Sequence, residues 1–301
     1  MPLTCVQALA YVVIESRAPQ RWRSFLTEVV GVERLLADVP AAWDYYKMDA
    51  YVWRIAVCPG DKDALHAVGW EIDPAVDLDW LIGQLNERGC TAQRLSAEQC
   101  QQRRVSAGVG LCDPSGQVVE LVQSCALDYL PLRSPVNVAA FETGFNGDMG
   151  LGHYVLPTRH LDNCVDFYRE LLGFDYTDSM NVGGRELHFL HVDNPRHHSL
   201  AIYQHPQPHQ SGCVHLMFEV KDLDEVGLFI DRCREHDVAI TASLGKHCND
   251  QMVSVYVESP GGFAIEYGCA GLRLDWQHYR RTFSTRPSQW GHHWQSLYNR
   301  N

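Results

Sequence analysis

Three side chains in the second half of this 301-residue sequence, His153, His215 and Glu266, are of the types that grip a metal ion from one side. His153 lies in the run GLGHYVL (150–156) and His215 in CVHLMFEV (213–220), each opening an apolar segment of strand character after glycine or small residues. Glu266 sits between apolar Ile265 and Tyr267 on a strand that returns after the turn Pro260-Gly261-Gly262. A carboxylate in so apolar a run needs a partner, because an unpaired charge in a core is costly. Two neutral imidazoles and one carboxylate, with the opposite positions left open, are the ligand set of non-haem Fe(II) oxygenases.

Glu266 belongs to the stretch 245–268, GKHCNDQMVSVYVESPGGFAIEYG, which places a histidine, an asparagine, a tyrosine and a glutamate on two short strands. Read with a period of two, Val253, Val255 and Val257 face one way and Met252, Ser254 and Tyr256 the other.

Bulk composition narrows the partners. The formal charge of −12, with 37 acidic against 25 basic residues, argues against a nucleic-acid or anionic-membrane surface, so a small-molecule partner is expected. No apolar run has the length of a membrane span, and the first residues lack the charged region and cleavage site of a signal peptide, which places the chain in the cytoplasm. The 11 cysteines are odd in number and scattered, with no C-x-x-C pair, and read as small buried hydrophobes. Of the 15 histidines, all but His66 fall after residue 150. Neither a G-x-G-x-x-G after a strand nor a G-x-x-x-x-G-K-[ST] is present, so no nucleotide cofactor is implied.

The elements that must position these residues come in repeats. The segment LAYVVIESRAPQRWRSFLTEVVGVERL (9–35) aligns with LGHYVLPTRHLDNCVDFYRELLGFDYT (151–177), and DPSGQVVELV (113–122) with ESPGGFAIEYG (258–268). Strand, helix and strands follow one another four times, two modules to each half, with helices expected over 18–29 and 77–88 and stops at Gly31 and Gly89. The expected organisation is α+β: two domains, 1–133 and 147–275, each of two βαβββ modules, followed by a tail, 276–301, that packs near the site. The repeat also supplies an internal control. Tyr11 matches His153, Ala67 matches His215, and only Glu120 matches Glu266, so the metal belongs to the second half and the first is structural.

With GLGHYVL, DFYRELLGF, FLHVDNPRHHSLA, VHLMFEV, the 245–268 stretch and the late WGHHW (290–294), the chain resembles the type I extradiol dioxygenases of the vicinal oxygen chelate superfamily, whose fold is glyoxalase/bleomycin-resistance-like. Within that family it is most similar to enzymes of the steroid-degradation dihydroxy-secosteroid and 2,3-dihydroxybiphenyl groups, with a shorter loop at 181–186 (NVGGRE). The resemblance implies cleavage of a 3-substituted catechol by O2, Fe(II) as cofactor with Mn(II) as the alternative, and a homo-oligomer. It assigns the metal to His153, His215 and Glu266, acid–base catalysis to His198, substrate contacts to His247 and Tyr256, and supporting polar contacts to Asn249 and Asp250.

His198 stands in a turn, PRHHS (195–199), where a histidine is ordinarily exposed; His197 is expected to be the exposed member and His198 the proton carrier. Phe189, Tyr154 and the tail are expected to wall the site from water. The same architecture also hosts glyoxalase-type lyases and isomerases and metal-free binding proteins. A glyoxalase-like site carries a second glutamate in place of one histidine, whereas this sequence offers two histidines.

Overall fold

The computed structural model describes residues 2–36, 42–208 and 210–295. Met1 of the expected first domain and residues 296–301 of the expected tail lie outside the described residues. The first half runs β1 (Val6–Ser16), α1 (Pro19–Ser24), β2 (Glu33–Arg34), β3 (Asp44–Lys47), β4 (Ile55–Pro59), β5 (Ala64–Ile72), α2 (Leu78–Glu87), β6 (Gln93–Arg94), α3 (Ala97–Arg103), β7 (Val105–Cys112) and β8 (Val118–Cys125). The second runs β9 (His153–Thr158), α4 (Leu161–Asp166), β10 (Asp175–Val182), β11 (Arg185–His191), β12 (Leu200–Gln204), β13 (His215–Glu219), α5 (Leu223–Glu235), β14 (Ile240–His247), β15 (Val253–Glu258), β16 (Ala264–Cys269) and, from the tail, β17 (Ser288–Trp290).

Four βαβββ modules account for this order. Helix α3 is an insertion that apolar periodicity does not announce, although Ser96 and Gln99 close a capping box at its start. The repeat extends to detail. Both α1 and α4 widen into a π-helical turn, Phe25–Val30 and Phe167–Leu171. Gly31 ends the first of these at φ 91°, a left-handed conformation that glycine adopts without steric cost. Helices α2 and α5 both start at an aspartate, Asp77 and Asp222, whose side chain accepts from the first free backbone N–H groups.

Among the described residues the strands form two mixed sheets, β2-β3-β4-β1-β5-β8-β7-β6 and β10-β11-β12-β9-β13-β16-β15-β14-β17. In each, a module's first strand runs parallel to its last, and the two modules meet antiparallel at β1/β5 or β9/β13. The register bears directly on the site. Tyr11 lies opposite Gly69 and Gly69 opposite Glu120; His153 lies opposite Met217 and Met217 opposite Glu266. Ala67 and His215 each stand two residues before the central member, so the correspondence read from sequence is also a correspondence of place.

One apolar cluster runs through both halves and includes Trp22, Trp70, Tyr154, Phe218, Phe229 and Tyr267. Hydrogen bonds stitch the sheets together, from Leu151 N to Leu9 O at 3.0 Å and from Leu65 N to Ser211 O at 2.7 Å. A second cluster, built on Tyr11, Tyr45, Trp53, Leu95 and Val122, fills the other face of the first sheet. The matching face of the second sheet is left open, and the site lies there.

Candidate metal centre

Three adjacent strands carry the candidate ligands. His153 opens β9, His215 opens β13 and Glu266 is central in β16; because cross-strand neighbours share a face, all three side chains emerge on the same side. His153 Nε2 lies 3.2 Å from His215 Nε2, and Glu266 Oε2 lies 3.3 Å from the first and 3.2 Å from the second. Donors about 2.1 Å from one ion stand about 3.0 Å apart at right angles and about 3.4 Å apart at tetrahedral angles, so this triangle fits a single first-row ion. It is the one such group of histidine, cysteine or acid side chains among the described residues.

Electrostatics prepares the donors. Burial pushes the His153 imidazole down to about 4, which keeps a lone pair free at neutral pH. Burial alone would raise the Glu266 carboxyl, but hydrogen bonds from His153, His215 and His247 hold it well below the usual carboxylate range. A buried carboxylate held in its ionised form is suited to bind a cation.

Around this triangle the structure gathers most of the other expected residues. The His198 ring lies 4.0 Å from that of His153 and tilted to it, and its Nδ1 lies 3.1 Å from His197 Nδ1 and 4.0 Å from Asp250 Oδ2. Burial, with His153 and His197 beside it, drives His198 well below 6.5, so it is neutral. His247 Nδ1 donates to Pro287 O at 3.0 Å, while Nε2 lies 2.7 Å from Tyr256 Oη and 3.3 Å from Glu266 Oε1. Burial pulls His247 down, but the Glu266 and Asp250 carboxylates outweigh it and lift His247 to about 9. Asn249 Nδ2 is buried with no hydrogen-bond partner, a donor left for something else to satisfy.

These groups line one end of a cavity of about 320 Å³. Its remaining walls are Val155, Met180, Val182, Leu187, Phe189, Tyr203, Val214, Pro287 and Trp294. Clefts of about 580 and 720 Å³ lie elsewhere on the surface, away from the ligand triangle.

Two expectations are corrected. Tyr154 is no wall of the cavity: it follows His153 in an extended strand, so its ring faces the opposite side, where it is fully buried and its hydroxyl meets Tyr168 Oη at 3.1 Å. Val155, two residues on from His153, takes the wall position. His197 is not exposed either; at 3 % accessibility it is as buried as His198, with its ring 6.3 Å from Phe189 and 6.4 Å from Tyr279 of the tail. Among residues that sequence reasoning passes over, Ser254 donates to Glu266 Oε1 at 2.7 Å, and His292 lies 3.2 Å from Ser254 Oγ. The alternation that puts Ser254 on the face of Tyr256 is the available signal for the first; nothing in the spacing signals the second.

Comparison with known proteins agrees with this geometry. Residues 150–267 match the family described as "Glyoxalase/Bleomycin resistance protein/Dioxygenase superfamily", and residues 9–60 match "Dihydroxybiphenyl dioxygenase BphC D1". An iron-dependent extradiol dioxygenase of Rhodococcus jostii (strain RHA1) is 38% identical over 95% of this chain and 97% of its own. A biphenyl-2,3-diol 1,2-dioxygenase of Metapseudomonas furukawaii is 34% identical over 95% of this chain and 93% of its own. A crystal structure of BphC, a halotolerant catechol dioxygenase, superposes with a TM-score of 0.89 at 32% identity, covering 96% of this chain and 95% of that one.

Proposed function

The chain belongs to the extradiol dioxygenases of the glyoxalase/bleomycin resistance protein/dioxygenase superfamily, and from that premise we propose that it opens a catechol carrying a bulky apolar 3-substituent, with Fe(II) held by His153, His215 and Glu266. The observation that carries the reading is the polarity of the cavity. Every histidine and carboxylate that lines it gathers about the ligand triangle, and the apolar remainder of the lining is one packed cluster that includes Val155, Met180, Val182, Leu187, Phe189 and Val214. A vicinal diol fits the first and an aryl or secosteroid body the second.

Fe(II) bound there supplies the electron transfer that lets a catechol react with O2, which a redox-inert ion lacks. The protein's groups do the rest. With His198 Nδ1 turned to His197 and Asp250, Nε2 is the nitrogen left to take a proton from one catechol hydroxyl and return it later. His247 and Tyr256, locked together at 2.7 Å, hold the substrate oxygens and stabilise charge that develops on them. Asn249 Nδ2 offers a further donor, and Asp250, which accepts from Met252 N at 3.0 Å, fixes the turn that carries it. Phe189 lies 4.8 Å from His198 and shields its ring from water. In the overall change the ring bond beside the diol breaks and both atoms of O2 enter the product.

The catalytic unit in this reading is 147–275, with the tail from 276 closing over it, and 1–133 is the non-catalytic unit. Mn(II) suits the same donors, and metal content settles which ion is resident. No helix among the described residues is long and apolar enough to cross a membrane, in keeping with a cytoplasmic enzyme. Exposed Tyr129, Leu130 and Phe145 in the segment between the sheets support a homo-oligomer, which sedimentation tests.

The deciding experiment is anaerobic purification with iron analysis, then O2 uptake on 2,3-dihydroxybiphenyl, 3-methylcatechol and a dihydroxylated secosteroid. Uptake with a bulky catechol and formation of a yellow dienoate are expected. An iron-loaded protein that consumes no O2 with any of them is instead a lyase or a binding protein.

A further inference from the structure

Glu266 divides its carboxylate between two tasks. Oε2 is the oxygen that faces His153 and His215, and Oε1 accepts from Ser254 Oγ at 2.7 Å. A carboxylate only accepts, so the Ser254 hydroxyl hydrogen points there and its lone pairs face His292 Nε2 at 3.2 Å. The same Nε2 lies 3.2 Å from the Ser254 carbonyl oxygen, which also only accepts. Neutral His292 therefore carries its proton on Nε2, and Nδ1 accepts from Ser288 Oγ at 2.7 Å. Every hydrogen in the chain Ser288, His292, Ser254, Glu266 points toward the metal ligand.

Two of those four residues belong to the tail, which is fitted for the purpose. Strand β17 pairs with β14, and Gln295 N reaches Thr241 O at 2.8 Å. His292 has φ 49°, a left-handed conformation uncommon outside glycine, and is buried to 5 % accessibility while its neighbour His293 is exposed. Room for it comes from two glycines. A Cβ on Gly245 would overlap the His292 ring and backbone nitrogen, and one on Gly291 would overlap the Leu244 carbonyl. The tail also orients the other flank of the site, since Pro287 O accepts a hydrogen bond from His247 Nδ1.

We propose that His292 is a positioning residue: through Ser254 it fixes the Glu266 carboxylate so that Oε2 faces the two histidines, and it thereby makes tail docking and metal retention reciprocally dependent. The inference rests on the reading of His153, His215 and Glu266 as metal ligands.

The test uses the full-length protein loaded with Fe(II) under nitrogen and follows iron loss to a chromogenic ferrous chelator, with no substrate present. His292→Ala should release iron roughly 10- to 100-fold faster than wild type, the range for a lost outer-sphere partner. His292→Gln, whose amide N–H can reach Ser254, should restore most of the retention, and Ser288→Ala should shift release in the same direction by less. Reciprocally, Fe(II) should slow proteolysis between residues 284 and 295 in wild type and give little protection in His292→Ala. A folded His292→Ala that keeps iron as wild type does, or a His292→Gln no better than it, overturns the proposal. If His292→Ala does not fold, Ser288→Ala decides, with a wild-type release rate counting against. Iron that is held by this chain in a protein inert toward every catechol would sink the ring-cleavage reading alone; a wild type that holds no iron sinks both.

Discussion

Tyr11 Oη donates a 2.6 Å hydrogen bond to Glu120 Oε2 at the register positions that His153 and Glu266 occupy in the second sheet. Arg103 completes the arrangement, with Nη2 2.8 Å from Glu120 Oε1 and Nε 3.1 Å from Oε2. The two halves thus bury a carboxylate at the same point of the same fold and surround it differently. The first supplies a guanidinium from the inserted helix α3 and fills the remaining space with Tyr45 and Trp53, whose rings lie 5.3 Å apart. The second supplies two imidazoles and leaves the far side open.

Arg103→Met should therefore be severely destabilising without touching the metal centre. It strands Glu120, which is 3 % accessible, as an unpaired buried anion, and breaking such a pair costs about 3–5 kcal/mol. Arg103→Met with Glu120→Leu removes both charges and should recover most of the loss. Urea unfolding of the two variants checks this; a single substitution that costs under about 1 kcal/mol would show that the ion pair is dispensable.

Much of this was legible in the chain because it rests on local periodicity and repetition. Val253, Val255 and Val257 opposing Ser254 and Tyr256 is a period-two statement, and β15 obeys it: Val255 and Val257 join the core while Ser254 and Tyr256 reach Glu266 and His247. The contrast of Tyr11 and Ala67 with His153 and His215 survives because register carries it. Tyr154 is misplaced when a motif is read as a unit, since strand alternation forbids two neighbours from sharing a face. His197 and His292 are illegible for another reason. Their burial depends on the tail folding back across the second sheet, and a long-range contact of that kind leaves no local pattern.

His215→Ala should lose iron and activity together. Its Nε2 stands 3.2 Å from both of the other donor atoms, so its removal opens one corner of the triangle. Iron content and O2 uptake on the same preparation provide the check, and an iron-replete, active variant would remove His215 from the ligand set.

His198→Phe should separate chemistry from binding. The ring packs against His153 and Phe189, so an aromatic replacement keeps the wall while removing the proton carrier. Iron content and catechol affinity should stay near wild type as turnover falls by about 10²–10⁴. Unchanged turnover would leave the proton with another group.

Acid should destabilise the fold by forcing protons onto buried histidines. Burial holds His191 down to about 4 from 6.5, with Arg281 opposing protonation and Asp175 and Asp193 favouring it; its ring lies 3.4 Å from Trp276 of the tail. A histidine depressed in the folded state binds its proton more readily when unfolded, so its contribution is complete above 6.5 and is lost as pH falls from there toward 4. Comparing urea midpoints at about pH 7.5 and about pH 5 should show a smaller drop for His191→Phe than for wild type. The slope should not vanish, because burial also pushes His197 and His292 down to about 4. Equal drops in the two proteins would mean that His191 is already charged in the native state.

If the chain takes bulky 3-substituted catechols as proposed, Leu187→Trp should turn its preference toward small ones. Leu187 lies on β11 in the apolar part of the cavity, which also takes Val182, Tyr203 and Val214, and Phe189 stands two residues on between it and the polar end. An indole there occupies space in a cavity of about 320 Å³ that a 3-phenyl or secosteroid substituent needs, while the diol end is untouched. Burying one large apolar group is worth about 1.5–3 kcal/mol, so kcat/KM for 2,3-dihydroxybiphenyl should fall roughly 10- to 100-fold. The value for 3-methylcatechol should move little, because a methyl group does not extend to the far wall. Parallel losses on both substrates would mean that the substitution disturbs the metal end, and equal retention on both would mean that the substituent leaves the cavity by another route.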